Sequence, residues 1–322
     1  MPSLITHYIF AKKEYSKCVD KFNFLVGNFD AFAMGNQGLN IFSYNDRIID
    51  FNYDRKFFSE EIIEKVVEFD FEKFFIGFEE VISTYQDENK KKIAYSFMLG
   101  LLCNYALERR IQPFLYYRTG FQTDGSENQL DIRNHKRHET LIDFSIRNYY
   151  KYSIENNKPK NALEIEKNRL DSLSNIFYEV VKHVYPNSVI KNSTYSDFVI
   201  SRRKYEKNIS LISRDFVYLL GLKNTKIGSD ILPKKLRKNE KIDYLNVTHQ
   251  VWHDPVTFKE SNESVVEMIE DELENTYDTF SFLIDSYKGK KISNKIQKYC
   301  QNLNFYGQQP GKNRMYQHSL FK

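Results

Sequence analysis

The chain has 322 residues, of which 41% are hydrophobic and 28% charged, the make-up of a globular protein with a core rather than of a disordered one. Gly and Pro are scarce, at 12 and 7, which argues against a turn-rich β-sandwich and for helices. Forty-seven basic residues against 43 acidic ones leave a net charge of +4, too small an excess to imply nucleic-acid binding.

Along the chain, residues 7–25 read as a helix, with apolar positions at Ile9, Phe10, Tyr15, Cys18, Val19, Phe22 and Phe24. Residues 27–47 hold Gly27, Gly35, Gly38 and several asparagines and read as an irregular loop. A helical pattern covers 59–85, with Ser59 as cap and Glu60 and Glu61 in its first turn. The pattern over 89–112 is apolar nearly all round in its middle, as suits the centre of a bundle. Another helix follows over 127–154, and the polar stretch 155–160, with Pro159, breaks it. Residues 161–185 read as a helix, 188–200 as the best strand-like alternation, and 210–222 as a short helix. The polar, basic stretch 224–245 reads as an exposed loop. Residues 262–287 form the last long helix, capped by Asn262 or Ser264. The fold class expected is all-α, an irregular helical bundle. It comprises one domain over 1–290, with a loop-rich insertion at about 186–245, and a partly ordered tail over 291–322.

Cys18, Cys103 and Cys300 follow no ligand spacing and read as free thiols of a reducing compartment. The start of the chain lacks the pattern of a signal peptide, and the most apolar segment, 94–107, is too short to span a bilayer. A cytoplasmic location and no transmembrane segment are the expectation. The oligomeric state is not legible.

Two rows of polar side chains stand out. His135, Glu139 and Asp143 are spaced i, i+4, i+8 on one helix face, where a His and a carboxylate can share a metal ion. An ordinary solvent-facing helix gives the same spacing, and on spacing alone that reading prevails. Asn104, Glu108 and Gln112 repeat the spacing on the apolar helix, where polar groups require polar partners. Arg109 and Arg110 are the nearby candidates.

The order of several short motifs resembles the intracellular branch of the bacterial zinc-dependent phospholipase C family. They are Thr6-His7-Tyr8, Gly35-Asn36-Gln37-Gly38-Leu39-Asn40, Cys103-Asn104-Tyr105-Ala106-Leu107-Glu108, Gln112-Pro113-Phe114, His135 to Asp143, and Trp252-His253-Asp254-Pro255. The match spans about 1–285 and is weakest between 155 and 240. The resemblance implies the all-α bundle shared by this family and single-strand nucleases, with a trinuclear zinc cluster that activates water against a phosphodiester. By position, three of its ligands survive as His7, His135 and Glu139. Asn40 stands where the family has Asp, Asn104 where it has His, Glu108 where it has Asp, and Gln112 where it has His. No His lies near 50–58, where a further ligand belongs. Neutral amides are poor zinc ligands. The pocket expected is therefore His7, Asn40, Asn104, Glu108, Gln112, His135 and Glu139, holding either no zinc or one, on His7, Glu108, His135 and Glu139. Catalytic residues are not assigned. The leading expectation is a phospholipase C-like protein that has lost the cluster and catalysis and acts by binding, with a phosphate-bearing small molecule or lipid headgroup as ligand, or as a structural partner. The alternative is a hydrolase of phosphodiesters or phosphoesters with a reduced, single-metal site.

Overall fold

A computed structural model describes residues 4–43, 65–119, 129–153, 159–211, 242–305, 307 and 309, and the side chains within these except at 40, 43, 68, 69, 129–134 and 208–211. The described chain is mostly helical: α1 Leu4–Cys18, α2 Phe29–Asn36, α3 Phe71–Ile82, α4 Glu88–Thr119, α5 Gln129–Tyr149, α6 Lys167–Val184, α7 Thr194–Leu211, α8 Val265–Phe280, α9 Phe282–Tyr287 and α10 Ser293–Cys300. Its strands are the two-residue pair β1 Trp252–His253 and β2 Glu260–Ser261, which are antiparallel. No described helix is long and apolar enough to cross a membrane.

The central element is α4. Its middle is buried on every side, from Ile93 to Glu108, because α2, α3, α5, α6 and α8 all pack on it. The closest crossing is with α2. A Cβ on Gly35 would lie 2.1 Å from the Phe97 carbonyl oxygen, and one on Gly100 would lie 2.1 Å from that of Phe32. The two backbones therefore touch, and only glycine fits at either point. The high aromatic content is spent in the core: Phe71 stacks on Tyr105 at 3.9 Å, Phe305 meets Phe71 edge-on, and Phe42 packs against Phe177 and Phe198.

Several elements differ from the sequence expectation. The first helix begins at Leu4 and stops at Cys18, and a 3-10 turn, Asn23–Leu25, follows. The loop expected over 27–47 instead holds α2 and a 3-10 turn, Gly38–Ser43. Ser59 and its neighbours lie outside the described residues; the helix there enters through a π turn, Val66–Asp70. The central helix runs through Pro113 to Thr119. Residues 188–200 form no strand, since α7 starts at Thr194. Of the helix expected over 210–222 only the first two residues are described, and most of the 224–245 loop lies outside. Ser264, not Asn262, caps α8, in a reciprocal capping box with Glu267. The tail contributes α10, which packs on α3 and buries Ile296 and Cys300. The three cysteines are free and buried.

The Trp252-His253-Asp254-Pro255 segment is a hairpin brace. Trp252 packs edge-on against Phe114 of α4 at 5.5 Å, and its ring nitrogen donates to the Glu263 carbonyl at 3.1 Å. Asp254 turns the chain by accepting the amides of Val256 and Thr257.

Candidate functional site

The first turn of α1 is held by a side chain of another helix. Asp143 of α5 accepts the amides of Ile5 (2.9 Å) and Thr6 (2.8 Å) and the Thr6 hydroxyl (2.6 Å). A carboxylate there meets the free N–H groups and positive end of α1. Burial nevertheless raises the Asp143 pKa, against these hydrogen bonds, which lower it. The clamp fixes His7, the next residue along.

His7 is buried and lies between two members of the α4 row. Its Nε2 is 2.7 Å from Glu108 Oε1. Its Nδ1 is 3.3 Å from the side-chain nitrogen of Asn104. That same nitrogen donates to the Asn36 carbonyl at 3.0 Å. Gln112 donates from Nε2 to Glu108 Oε2 at 2.9 Å. The same Asn104 nitrogen is 3.4 Å from Nε2, so it lies across both ring nitrogens, while the carboxylate contact is made at Nε2. Both ring nitrogens and both carboxylate oxygens are thereby engaged.

The Arg109 and Arg110 side chains do not serve this row. Arg109 lies against the rings of Tyr299 and Tyr105, and Arg110 pairs with Glu263 (2.6 Å) and Asp271 (3.1 Å). The row finds its partners in His7 and the α2 backbone instead.

Several amide groups at this crossing keep one atom without a protein partner: Asn104 Oδ1, Gln112 Oε1, Gln37 Oε1 and both polar atoms of Asn36. The nitrogens of Gln37, Asn104 and Gln112 are each committed to an oxygen, in Leu4, Asn36 and Glu108. The groups left over on these three are therefore acceptors. Gly38, with φ +64°, lies directly against Asn104; a Cβ there would be 2.1 Å from Oδ1.

His135 and Glu139 form a second pair on α5, with Nε2 3.3 Å from Oε1. The His135 ring stacks on Tyr116 at 5.0 Å, and its Nδ1 is 3.1 Å from the Thr119 hydroxyl. Lys136 also reaches Glu139, at 3.3 Å. Glu139 is buried, unlike a solvent-facing helix position. His138, beside them, lies between Phe114 and Tyr244, and burial and the Arg118 charge push its pKa down to about 3.

Of the residues singled out in the sequence, His7, Asn104, Glu108 and Gln112 thus form one hydrogen-bonded group, and His135 with Glu139 another. Asp143, one turn beyond Glu139, ties α5 to the first. Asn40 lies in the Gly38–Ser43 turn, and its side chain is outside the described set, as are residues 50–58. Among the described residues, no three His, Cys, Asp or Glu side chains are grouped to hold a metal ion. Asn36 and Gln37 are members of the crossing that the sequence placed in a loop. Two adjacent polar residues between apolar Met34 and Leu39 were the available signal. Comparison of the chain with family models, curated proteins and solved structures finds no match.

Proposed function

We propose that this chain is a diverged, non-catalytic relative of the zinc-dependent phospholipase C family, acting through binding or as a structural partner. One observation carries the reading. His7 and Glu108 bond to each other, and the amide side chains of Asn104 and Gln112, at positions where the family has metal ligands, bond to them in turn. Zinc requires a free imidazole lone pair. Here Nε2 meets the Glu108 carboxylate and the Asn104 amide nitrogen lies across both ring nitrogens. The residues at this crossing do not fit a trinuclear cluster. Asn104 and Gln112 offer weak neutral oxygens, and only Glu108 brings negative charge to the group. The replacements keep the crossing polar and internally bonded without a cation.

A phosphate-bearing small molecule or lipid headgroup is the ligand class the resemblance supplies. The oxygens left over on Asn104 and Gln112 are buried acceptors, which would meet a hydroxyl or ammonium group of such a ligand, rather than its phosphate oxygens, only where the crossing opens.

The second reading, a hydrolase with one metal, is favoured by the His135–Glu139 pair, which has the spacing of a two-ligand helix site. Hydrolysis of phosphatidylcholine-type substrates and of a soluble phosphodiester separates the two. The non-catalytic reading expects no turnover above a protein-free control. Turnover abolished by chelator and by His135→Ala would establish the one-metal hydrolase instead.

A further inference from the structure

The face of α1 that carries His7 continues to Glu14 and Cys18, both buried. There it meets α4 and α8. Glu14 has no exposed surface, and its Oε1 accepts the Cys18 thiol at 2.9 Å. Its Oε2 has no hydrogen-bond partner. The groups facing it are Cys18 and Lys17 on α1, Cys103 on α4, and Glu272 and Thr276 on α8. Lys21 faces Cys18 in turn, and Arg109, Arg110 and Asp271 face Glu272. Among the described residues no cation forms an ion pair with Glu14. Two acids and two thiols therefore share one seam between three helices, and a buried carboxylate without a cation is costly where the neutral acid is tolerated.

We propose that the seam where α8 docks on α1 and α4 is a proton-operated latch, closed while Glu14 holds a proton and loosened when it ionises. The direction follows from the surroundings. Burial raises the Glu14 carboxyl to about 7, more than the Cys18 thiol bond and the nearby Thr276 hydroxyl lower it, and raises Glu272 as well. The folded chain then holds this proton more tightly than the unfolded one does. The stabilisation is complete below the ordinary carboxyl range and is lost as pH rises through about 7. The seam is separate from the His7–Glu108 group, so the latch stands whether or not that group binds anything.

Hydrogen exchange of the α8 amides, corrected for intrinsic rates, tests it on the full chain between pH 6 and 8.5. The expected result is a fall in protection of about tenfold, absent in Glu14→Gln. Unchanged protection in the wild type, or the same fall in Glu14→Gln, overturns the latch. Cys18→Ala supplies a second test, independent of how well Glu14→Gln folds. Removing the thiol donor must move the transition to higher pH, and an unmoved transition overturns the proposal.

Discussion

His7 shows how a single residue is specified here by its neighbours. Its position comes from the Asp143 clamp on the first turn of α1, and its ring is held by Glu108 on one side and Asn104 on the other. Truncation to His7→Ala leaves the buried Glu108 oxygen without a donor, and stranding one partner of a buried pair costs about 3–5 kcal/mol. Chemical denaturation is expected to show a loss of that order, partly recovered in the double variant His7→Leu/Glu108→Leu, where the pair is removed together and Gln112 Nε2 alone loses its acceptor. A loss equal to the sum of the two single losses would show that the residues act independently. The α4 row was legible in the sequence because polar residues at helical spacing on an apolar helix demand partners. The identity of those partners was not. His7 is far from the row in sequence, and the α2 carbonyl that receives Asn104 is visible only once two backbones touch.

At the level of elements, the α2–α4 crossing sets the geometry of the site. Gly35 and Gly100 let the backbones meet, which brings the Asn36 carbonyl to Asn104. Gly35→Ala would drive a methyl into the Phe97 carbonyl, and backbone cannot give way as a side chain does. A loss of at least about 1–3 kcal/mol is expected, with a shift in the chemical-shift signals of His7; an unchanged midpoint would mean that the helices can separate freely. The sequence misled here for a physical reason. Gly35, Asn36 and Gly38 have the composition of a turn, but Gly35 is used for close packing inside a helix. Pro113 misled similarly, since it removes one amide without ending α4, whose last two turns are held by burial of Phe114 and Leu115. In α7 the helical signal was present, with Tyr195, Phe198, Val199 and Arg202 buried at i, i+3, i+4 and i+7, but it lies across the end of a stretch that also alternates. The central helix and the Ser264 cap were legible because their signals are local and strong.

For the whole molecule, burial of titratable groups gives a pH dependence with two limbs. His138 is held neutral, with its pKa pushed down to about 3 by burial and by Arg118. A histidine depressed in the folded state contributes fully above its ordinary value and loses that contribution as pH falls below about 6.5. Between pH 7 and pH 4 the loss is roughly 3 kcal/mol. Urea unfolding at the two pH values is expected to show a smaller acid loss in His138→Gln than in the wild type, and equal losses would exclude His138 as the source. The all-α class was legible from composition and periodicity together, because scarce Gly and Pro leave few ways to build an aromatic-rich core other than packed helices.

Under the proposed reading, hydrogen bonds among His7, Asn104, Glu108 and Gln112 take the place of the family's polynuclear metal cluster. The zinc content of the full-length protein, expressed in zinc-supplemented medium and purified without chelator, tests this most directly. At most one zinc per chain is expected, with His7→Ala leaving that content unchanged because the His7 nitrogens are already engaged. Two or more tightly bound zinc ions per chain, lost on substitution of His7 or Glu108, would contradict it.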